Sequence, residues 1–392
     1  MAFVGGLKEF TKIKIRDRLD DLFDQYTRIF MVKIYTISVL ILSFNYFKDK
    51  INCIHGNADY LNKDFIDGSC WILGYYIYKE LLNPKYYPQS GYFGIPLNLK
   101  HNGLTADGTL CSVEIMGDAC NKMTRVYYNQ HQWLIFYFCI LPLIYYVPYI
   151  FFTVINTGLS SIKKLSEKNT DELSTNQIYI EHFGAEIYNK KLSYIKISLY
   201  ILNKLIYILV NIVVFLITNR FLYNNFLSYG IDMLNFNTSD EERFQLKTQT
   251  RVQPAYRLLP PHGMCELSEM SINYRETREN KHLLVCEFSP NILYTFVLFI
   301  SWYIMVIGII ISIIGFVTYI VKLIIYSWIL RKNNADNRMT FRGITLYGYL
   351  KLIQLRSTSR SLYLKIIGIL QDNINRTNNS LINDNDKNIT YI

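Results

Sequence analysis

Four long apolar stretches, separated by polar segments, organise this chain. They cover residues 30–47, 132–152, 197–218 and 291–321. An α-helix needs about 20 mostly apolar residues to cross the roughly 30 Å hydrocarbon core of a bilayer, and each stretch has about that length or more. The pattern therefore predicts an all-α membrane protein with four transmembrane helices, whose remaining segments form polar loops and tails.

The second stretch, residues 132–152, gives the clearest signal because it contains no charged residue. Pro142 and Pro148 lie inside it. Proline removes a helical hydrogen bond and collides with the preceding turn, so we expect a kink. A membrane helix tolerates such a kink when neighbouring helices cover the freed carbonyl groups. This span is therefore predicted to pack inside a helix bundle.

Two other spans carry unusual residues. Asn203, Lys204 and Asn211 interrupt the third span, so one of its faces should meet protein or water rather than lipid. The fourth span is uncharged over the 31 residues 291–321, or about 46 Å of helix, and should tilt or project beyond the bilayer. Its Gly308 and Ser312 form a small-xxx-small pair, which either permits close helix contact or occurs by chance.

The distribution of basic residues predicts which segments lie in the cytoplasm. The chain has a net charge of +10, and segments 1–28, 156–196 and 322–392 together hold 23 Lys and Arg residues. The two large loops, 48–126 and 219–290, hold 16 over a slightly greater length. Because basic residues concentrate on the cytoplasmic side, we expect both termini and the 156–196 loop inside, and both large loops outside.

The positions of the cysteines agree with this topology. Six of the seven lie in the two large loops, namely Cys53, Cys70, Cys111, Cys120, Cys265 and Cys286, and the seventh is Cys139 in the second span. An even number confined to predicted extracellular loops indicates disulfides formed in an oxidising compartment. The spacing alone leaves their connectivity open.

Few other chemical signals appear. Asn237 begins an Asn-Thr-Ser glycosylation sequon in the second large loop. His262 and Cys265 have a metal-like spacing, but a structural zinc site needs four ligands, so no metal site is predicted. The sequence shows neither a phosphate-binding glycine loop nor a nucleophile elbow, so we expect neither enzymatic activity nor a cofactor.

The tail after the fourth span divides into two parts. Residues 339–370 alternate apolar and basic side chains, which predicts a soluble amphipathic helix and a helical cytoplasmic region. From about residue 372 the chain is rich in Asn and Asp and is predicted to be disordered. We interpret the basic face as one that lies beside the membrane, with anionic lipid contact as the alternative, and we expect no nucleic-acid partner.

Several motifs occur in the order and spacing of one family. The first loop contains Ile51-Asn52-Cys53 and Cys70-Trp71-Ile72, and the second span contains Gln132-Trp133 and Tyr145-Tyr146-Val147-Pro148. In the second loop, Leu258-Leu259-Pro260-Pro261 precedes Cys265. Cys286 then precedes the aromatic residues Phe296, Phe299 and Trp302 of the fourth span. In these features the chain resembles the innexins, the invertebrate gap-junction proteins, from about residue 1 to 330.

The chain departs from the family pattern at two places. Gln130 and His131 occupy the positions of the paired tyrosines that usually precede Gln-Trp. Cys111 and Cys120 exceed the usual two cysteines per loop; they form an extra local bridge or alter the docking surface. The second departure bears on docking with a standard innexin, and neither affects the four spans.

The resemblance implies a function and a disulfide map. It implies a plasma-membrane ring of like subunits, in homo- or hetero-oligomers, that docks end to end with a ring on a neighbouring cell and passes ions and small molecules. By analogy, Cys53 would pair with Cys286, and Cys70 with Cys265. Two alternatives stay open: a non-junctional hemichannel like a pannexin, and a receptor or adhesion protein that conducts nothing.

Overall fold

The computed structural model describes residues 21–48, 51–54, 62–155, 189–236, 253–269, 280–335, 344–358, 360 and 362–372. Within these residues four helices are long and apolar enough to cross a membrane. The first, α1, runs through three consecutive pieces, Leu22–Gln25, a π-helical turn at Tyr26–Met31, and Val32–Lys48. The others are α4 (Gln130–Ile155), α5 (Lys190–Phe221) and α8 (Ser289–Ala335).

Each long helix contains one predicted span and extends beyond it. The largest extension is in α8, whose 47 residues give a rod of about 70 Å, more than twice the hydrocarbon thickness. Helix α5 begins at Lys190, so the last residues of the predicted 156–196 loop are helical. Helix α4 continues through both Pro142 and Pro148, and a kink there stays a prediction.

Shorter helices lie between and after the long ones. They are α2 (Lys63–Leu73), α3 (Val113–Met116), α6 (Tyr229–Leu234), α7 (Pro254–Leu258) and α9 (Leu346–Thr358). Residues 362–372 are also helical. The predicted disorder from about residue 372 lies outside the described residues, apart from its first position.

The chain divides into two compact units. Unit 1 comprises the described parts of Met1–Lys33, Leu143–Ile212 and Gly308–Ile392, and unit 2 comprises those of Ile34–Pro142 and Val213–Ile307. The long helices therefore contribute to both units, and each unit has its own packing.

Unit 2 contains a five-stranded antiparallel sheet. Its strands are β1 (Asn52–Ile54), β2 (Tyr75–Tyr78), β8 (Arg125–Tyr128), β9 (His262–Glu269) and β10 (Asn280–Glu287), in the spatial order β1-β10-β9-β2-β8. Two small sheets join β3 (Ser90–Tyr92) with β4 (Ile95–Pro96), and β6 (Leu110–Cys111) with β5 (Gly103–Leu104) and β7 (Asn121–Lys122).

These strands correct the predicted fold class: the protein is mostly helical, but it is not all-α. The strand residues were present in the sequence, as in the Tyr-Tyr-Ile-Tyr run of β2, since aromatic and β-branched residues favour strands. The runs are short, however, and their partners are distant. Tyr76 in β2 pairs with Met264 in β9, so no local alternation of polar and apolar residues could reveal the sheet.

The core of unit 2 combines both large loops. Buried side chains of β2 and α2 pack with those of β9 and β10 in one cluster, which includes Ile66, Tyr76, Ile77, Met264 and Leu284. Burial of apolar area is the main force that favours folding, at about 25 cal/mol per Å². The described parts of the two loops therefore form a single folded body with one shared core.

Unit 1 explains the polar residues of the third span. Asn203, Lys204 and Asn211 are all buried, so they face protein as predicted. The Asn211 amide donates to the Ser312 hydroxyl (2.9 Å), and that hydroxyl donates to the Gly308 carbonyl (2.8 Å). A Cβ atom at Gly308 would lie only 2.9 Å from the Asn211 side-chain oxygen, so the small residues do permit a close helix contact.

The predicted amphipathic helix of the tail has a core of its own. Ile344, Leu352, Leu355, Leu362 and Ile366 are buried together. The Tyr347 backbone N–H donates to the Ser193 hydroxyl (3.1 Å) at the start of α5. This contact fixes the tail helix to the first turn of the third long helix within unit 1.

Candidate functional site

Two disulfides join the first large loop to the second. Cys53 in β1 bonds to Cys286 in β10, and Cys70 near the end of α2 bonds to Cys265 in β9. Cys53 and Cys286 are direct partners in the antiparallel register, with their Cα atoms 3.9 Å apart. These are the pairs that the family resemblance implies. The five-stranded sheet that they cross-link is the candidate functional site.

A hydrogen-bonded triad connects this sheet to the fourth long helix. The Tyr75 hydroxyl of β2 donates to the Pro260 carbonyl (3.0 Å). The Asn291 amide in the first turn of α8 donates to the Tyr75 hydroxyl (2.7 Å) and to the Pro260 carbonyl (2.7 Å). All these groups are buried, and buried polar groups are costly to leave unpaired. The triad therefore fixes both loops against the start of α8.

The Tyr75 ring is the centre of an aromatic cluster. Its centroid lies 3.8 Å from that of Phe288, 5.5 Å from that of Tyr128 and 5.7 Å from that of His131. A Cβ atom at Gly263 would overlap the same ring. Gly263 is required because the tyrosine packs directly on the backbone of β9.

A group of charged residues spans four adjacent strands of the sheet, from β8 to β10. Arg125 in β8 contacts Glu266 in β9 (2.6 Å), and the Arg125 guanidinium lies 4.4 Å from the centroid of the Tyr76 ring in β2. Lys281 in β10 lies 3.8 Å from the same glutamate. The arginine combines a charge-assisted hydrogen bond with a cation–π contact, so it ties the edge strand β8 to the sheet centre.

The first turn of α4 is bound to the end of α2. The Gln132 amide donates to the Trp71 carbonyl and to the Ile72 carbonyl (3.1 Å). The His131 ring is buried and lies edge-on to the Trp71 ring, with centroids 4.6 Å apart. Of the two residues that replace the usual tyrosine pair, His131 therefore packs within the aromatic cluster around Tyr75.

Burial keeps two titratable groups of the sheet neutral, the Tyr128 phenol and the His262 imidazole. Burial raises the pKa of Tyr128 to about 12, with a smaller contribution from Tyr223. Burial lowers the pKa of His262, and the nearby Glu287 carboxylate opposes that shift. His262 stacks on Tyr92, with ring centroids 4.4 Å apart. At neutral pH these groups therefore act as packing surfaces rather than as charges.

The two remaining loop cysteines form a local bridge. Cys111, the last residue of β6, bonds to Cys120, which directly precedes β7 and lies nine positions further along the chain. The bridge closes a loop that contains α3, where Ile115 is 84% exposed and Met116 is also exposed. This loop presents apolar side chains at its tip. Neither cysteine is linked to the second large loop.

A buried ion pair lies in unit 1, the unit that does not contain the five-stranded sheet. The Lys204 ammonium of α5 contacts the carboxylates of Asp24 (2.7 Å) and Asp21 (2.9 Å), at the start of α1. Lys204 and Asp24 are each 5% exposed. Burial opposes ionisation of Asp21, but the Lys204 ammonium more than offsets this effect, so the pKa of Asp21 lies below its usual value.

The other predicted site residues lie elsewhere or outside the described part. Pro142 and Pro148 lie within α4 and contribute nothing to the sheet, and Asn237 lies outside the described residues. Among the described residues, the one group of three or more potential metal ligands whose ligand atoms lie within 4.8 Å of one another is Cys53, Cys70 and Cys286. Each of these sulfurs is in a disulfide, as is Cys265, so none provides a thiolate for a metal.

Some residues of the site could not be found from sequence. Tyr75, Asn291 and Gly263 have no local signal, because their roles arise from contacts between distant segments. Lys204 did have a signal, as a charge inside an apolar span. Its partners Asp21 and Asp24 could not be assigned, because they lie about 180 residues away.

Comparison with protein families decides the identity. The family model described as Innexin matches residues 17–375, nearly the whole chain. The chain belongs to the innexin family. No curated protein matches it in sequence.

As a member of this family, the chain is a multi-pass plasma-membrane protein of gap junctions. Proteins of the family form oligomeric channels in membranes. The family is a channel family and not an enzyme family. The four apolar helices and the disulfides agree with this assignment.

Proposed function

We propose that this innexin is one subunit of a large-pore channel that joins two cells. Several copies surround a common axis, because four helices cannot enclose a wide pore alone. The cross-linked sheet lies outside the cell and docks with the sheet of a subunit in the neighbouring cell. Ions and small molecules then pass through the continuous pore.

One observation carries this proposal: both large loops are built into one sheet by two long-range disulfides. The bonds span 233 and 195 residues. A preorganised surface loses little conformational entropy on binding, so rigid loops favour end-to-end docking. The Tyr75–Asn291–Pro260 triad adds a fixed connection between this surface and α8, which supports transmission of docking strain to the helices.

Paired-cell recording with a disulfide variant tests the proposal. We expect Cys70→Ser to abolish junctional current between two oocytes that express only this chain, because removal of a native disulfide usually costs about 2–5 kcal/mol. Cys139→Ser is the matched control, since the structure gives Cys139 as a free, exposed thiol in α4. Surface biotinylation confirms that both variants reach the plasma membrane.

The result also separates the alternatives. Current between paired cells with Cys139→Ser but not with Cys70→Ser supports the junctional channel. Normal junctional current in Cys70→Ser would contradict the role of the cross-linked sheet. Dye uptake by single cells without transfer between pairs would instead favour a non-junctional hemichannel, and absence of both would favour a protein that does not conduct.

A further inference from the structure

The segment that follows α5 exposes a row of apolar side chains. Leu227, Ile231 and Leu234 are each more than half exposed. Their spacing of four and three residues places them on one face of α6 and its preceding turn. The neighbouring face carries Ser228 and Asp232, whose side chains bond to each other (2.6 Å). The segment is therefore amphipathic.

A tight turn fixes where this segment lies. Tyr223 and Asn224 adopt positive φ angles of 54° and 63°, which reverse the chain after the end of α5. The Asn219 side-chain oxygen accepts hydrogen bonds from the backbone N–H groups of Phe226 (3.1 Å) and Leu227 (2.9 Å). The turn is held by its own hydrogen bonds, so it fixes the position at which α6 begins.

The face of α6 opposite to the polar residues packs on α8. The Trp302 indole donates to the Leu227 carbonyl (3.1 Å), and the Tyr303 hydroxyl donates to the Gly230 carbonyl (3.0 Å). The Tyr229 hydroxyl donates to the Thr295 carbonyl (2.9 Å). Helix α6 is therefore joined to α8 at Thr295, Trp302 and Tyr303.

The level of this contact relative to the membrane follows from three residues. Tyr137 of α4 bonds to Thr218 of α5, and the Thr218 hydroxyl contacts the Met305 sulfur of α8 (3.8 Å). At 1.5 Å per residue, Trp133 lies about 6 Å from this level toward the sheet, and the α8 residues that bond to α6 lie about 3–15 Å from it in the same direction. Exposed tryptophan favours the boundary between lipid and water. Helix α6 is thus at the level of that boundary.

Helix α8 continues the apolar surface beside α6. Ile292, Phe296 and Ile300 are each about half exposed and follow one another at intervals of four residues. On a helical wheel they lie next to the face that α6 covers. The same exposed stripe runs on through Ile307 toward the membrane centre. The apolar face of α6 therefore extends a lipid-facing surface of α8.

We propose that α6 is an interfacial helix, whose Leu227, Ile231 and Leu234 insert among the lipids of the leaflet on the sheet side of the membrane. Such helices bury their apolar face about 5–10 Å into the boundary between headgroups and acyl chains. Its short length is compensated by the three hydrogen bonds to α8. The row carries no basic residue, so the partner is the apolar lipid region itself rather than an anionic headgroup. Insertion of this kind needs only a membrane, and is expected for junctional and non-junctional channels alike.

Spin labelling of the full chain in phosphatidylcholine vesicles tests the proposal. In a Cys139→Ser background, single variants Ile231→Cys and Leu234→Cys carry a nitroxide, and Asp232→Cys on the polar face is the control. Collision rates with oxygen and with a water-soluble nickel chelate are measured by power saturation. We expect the ratio of the oxygen collision rate to the nickel collision rate to be several-fold higher at positions 231 and 234 than at position 232.

Two other outcomes would overturn the inference. Nickel accessibility at 231 and 234 equal to that at 232 would place the row in water. Low accessibility to both reagents would show that a second copy of the chain covers it instead of lipid. The two labelled positions are independent, so the test survives if one variant fails to assemble, as judged by its elution beside the Cys139→Ser parent.

Discussion

At Gly263 the backbone of β9 leaves room for the Tyr75 ring, and one missing side chain permits the aromatic cluster at the centre of the site. A glycine in a strand often marks such a close approach. Gly68 provides a contrast, because it lies in the exposed face of α2 and a Cβ atom there would meet nothing within 4 Å. The structure therefore leaves no space for a side chain at Gly263 but leaves open space for one at Gly68.

We therefore predict opposite effects for two alanine substitutions. Gly263→Ala should lower the melting temperature of the solubilised protein, because overpacking typically costs about 1–3 kcal/mol. Gly68→Ala should leave it unchanged or raise it, since alanine is favoured over glycine in a helix by about 1 kcal/mol. A tolerated Gly263→Ala would show that the Tyr75 ring does not pack against β9 as described.

His262 gives a prediction for pH. Burial depresses the pKa of its imidazole in the folded state, so the unfolded chain takes up a proton first as the pH falls. The stability that depends on neutral His262 is complete above about pH 6.5, the ordinary value for histidine, and is lost below it. Melting temperature measured from pH 8 to pH 5 should fall less steeply in His262→Gln than in the parent. Identical slopes would contradict this assignment.

At the scale of elements, the sequence predicted helices well and the sheet not at all. Each apolar span is long and continuous, so its signal is local, whereas strands such as β2 have four residues and partners far along the chain. The cysteines indicated that the two loops are disulfide-rich, but only the pairing of β1, β9 and β10 shows how the bonds make one body. Likewise Asn203, Lys204 and Asn211 predicted a face of the third span that meets protein or water rather than lipid. The bond between Asn211 and Ser312 is visible only in the folded structure.

The ion pair of Lys204 with Asp21 and Asp24 attaches the start of α1 to α5, so we predict that folding depends on this lysine. Removal of one partner of a buried ion pair costs about 3–5 kcal/mol. Lys204→Met should therefore reduce the amount of folded protein strongly, because it leaves the buried Asp24 carboxylate without its ammonium. Lys191→Met, at an exposed lysine of the same helix, is the matched control.

A double variant separates this ion pair from simple loss of packing. If Lys204 acts through the carboxylate, then adding Asp24→Asn to Lys204→Met should recover part of the lost stability, because coupled residues show non-additive effects. Size-exclusion elution after heating measures this. Equal loss in the single and double variants would mean that charge plays no part.

At the scale of the whole molecule, the family assignment and the structure bear on different claims. The match over residues 17–375 places the protein in gap junctions of the plasma membrane. The assignment of segments to the cytoplasmic and extracellular sides of the membrane rests on the distribution of basic residues and on the positions of the cysteines. It stays a prediction. The Cys111–Cys120 bridge, which exceeds the usual two cysteines per loop, gives this chain an exposed tip at Ile115 on the same folded unit as the sheet.

Labelling of that tip on intact cells tests the extracellular sheet most directly. In the Cys139→Ser background, Ile115→Cys adds a thiol at a side chain that is 84% exposed, and the cells are treated with a membrane-impermeant maleimide. We predict full labelling before permeabilisation, with the Cys139→Ser parent unlabelled. Labelling of Ile115→Cys only after the membrane is opened would place the cross-linked sheet in the cytoplasm and contradict its role in docking.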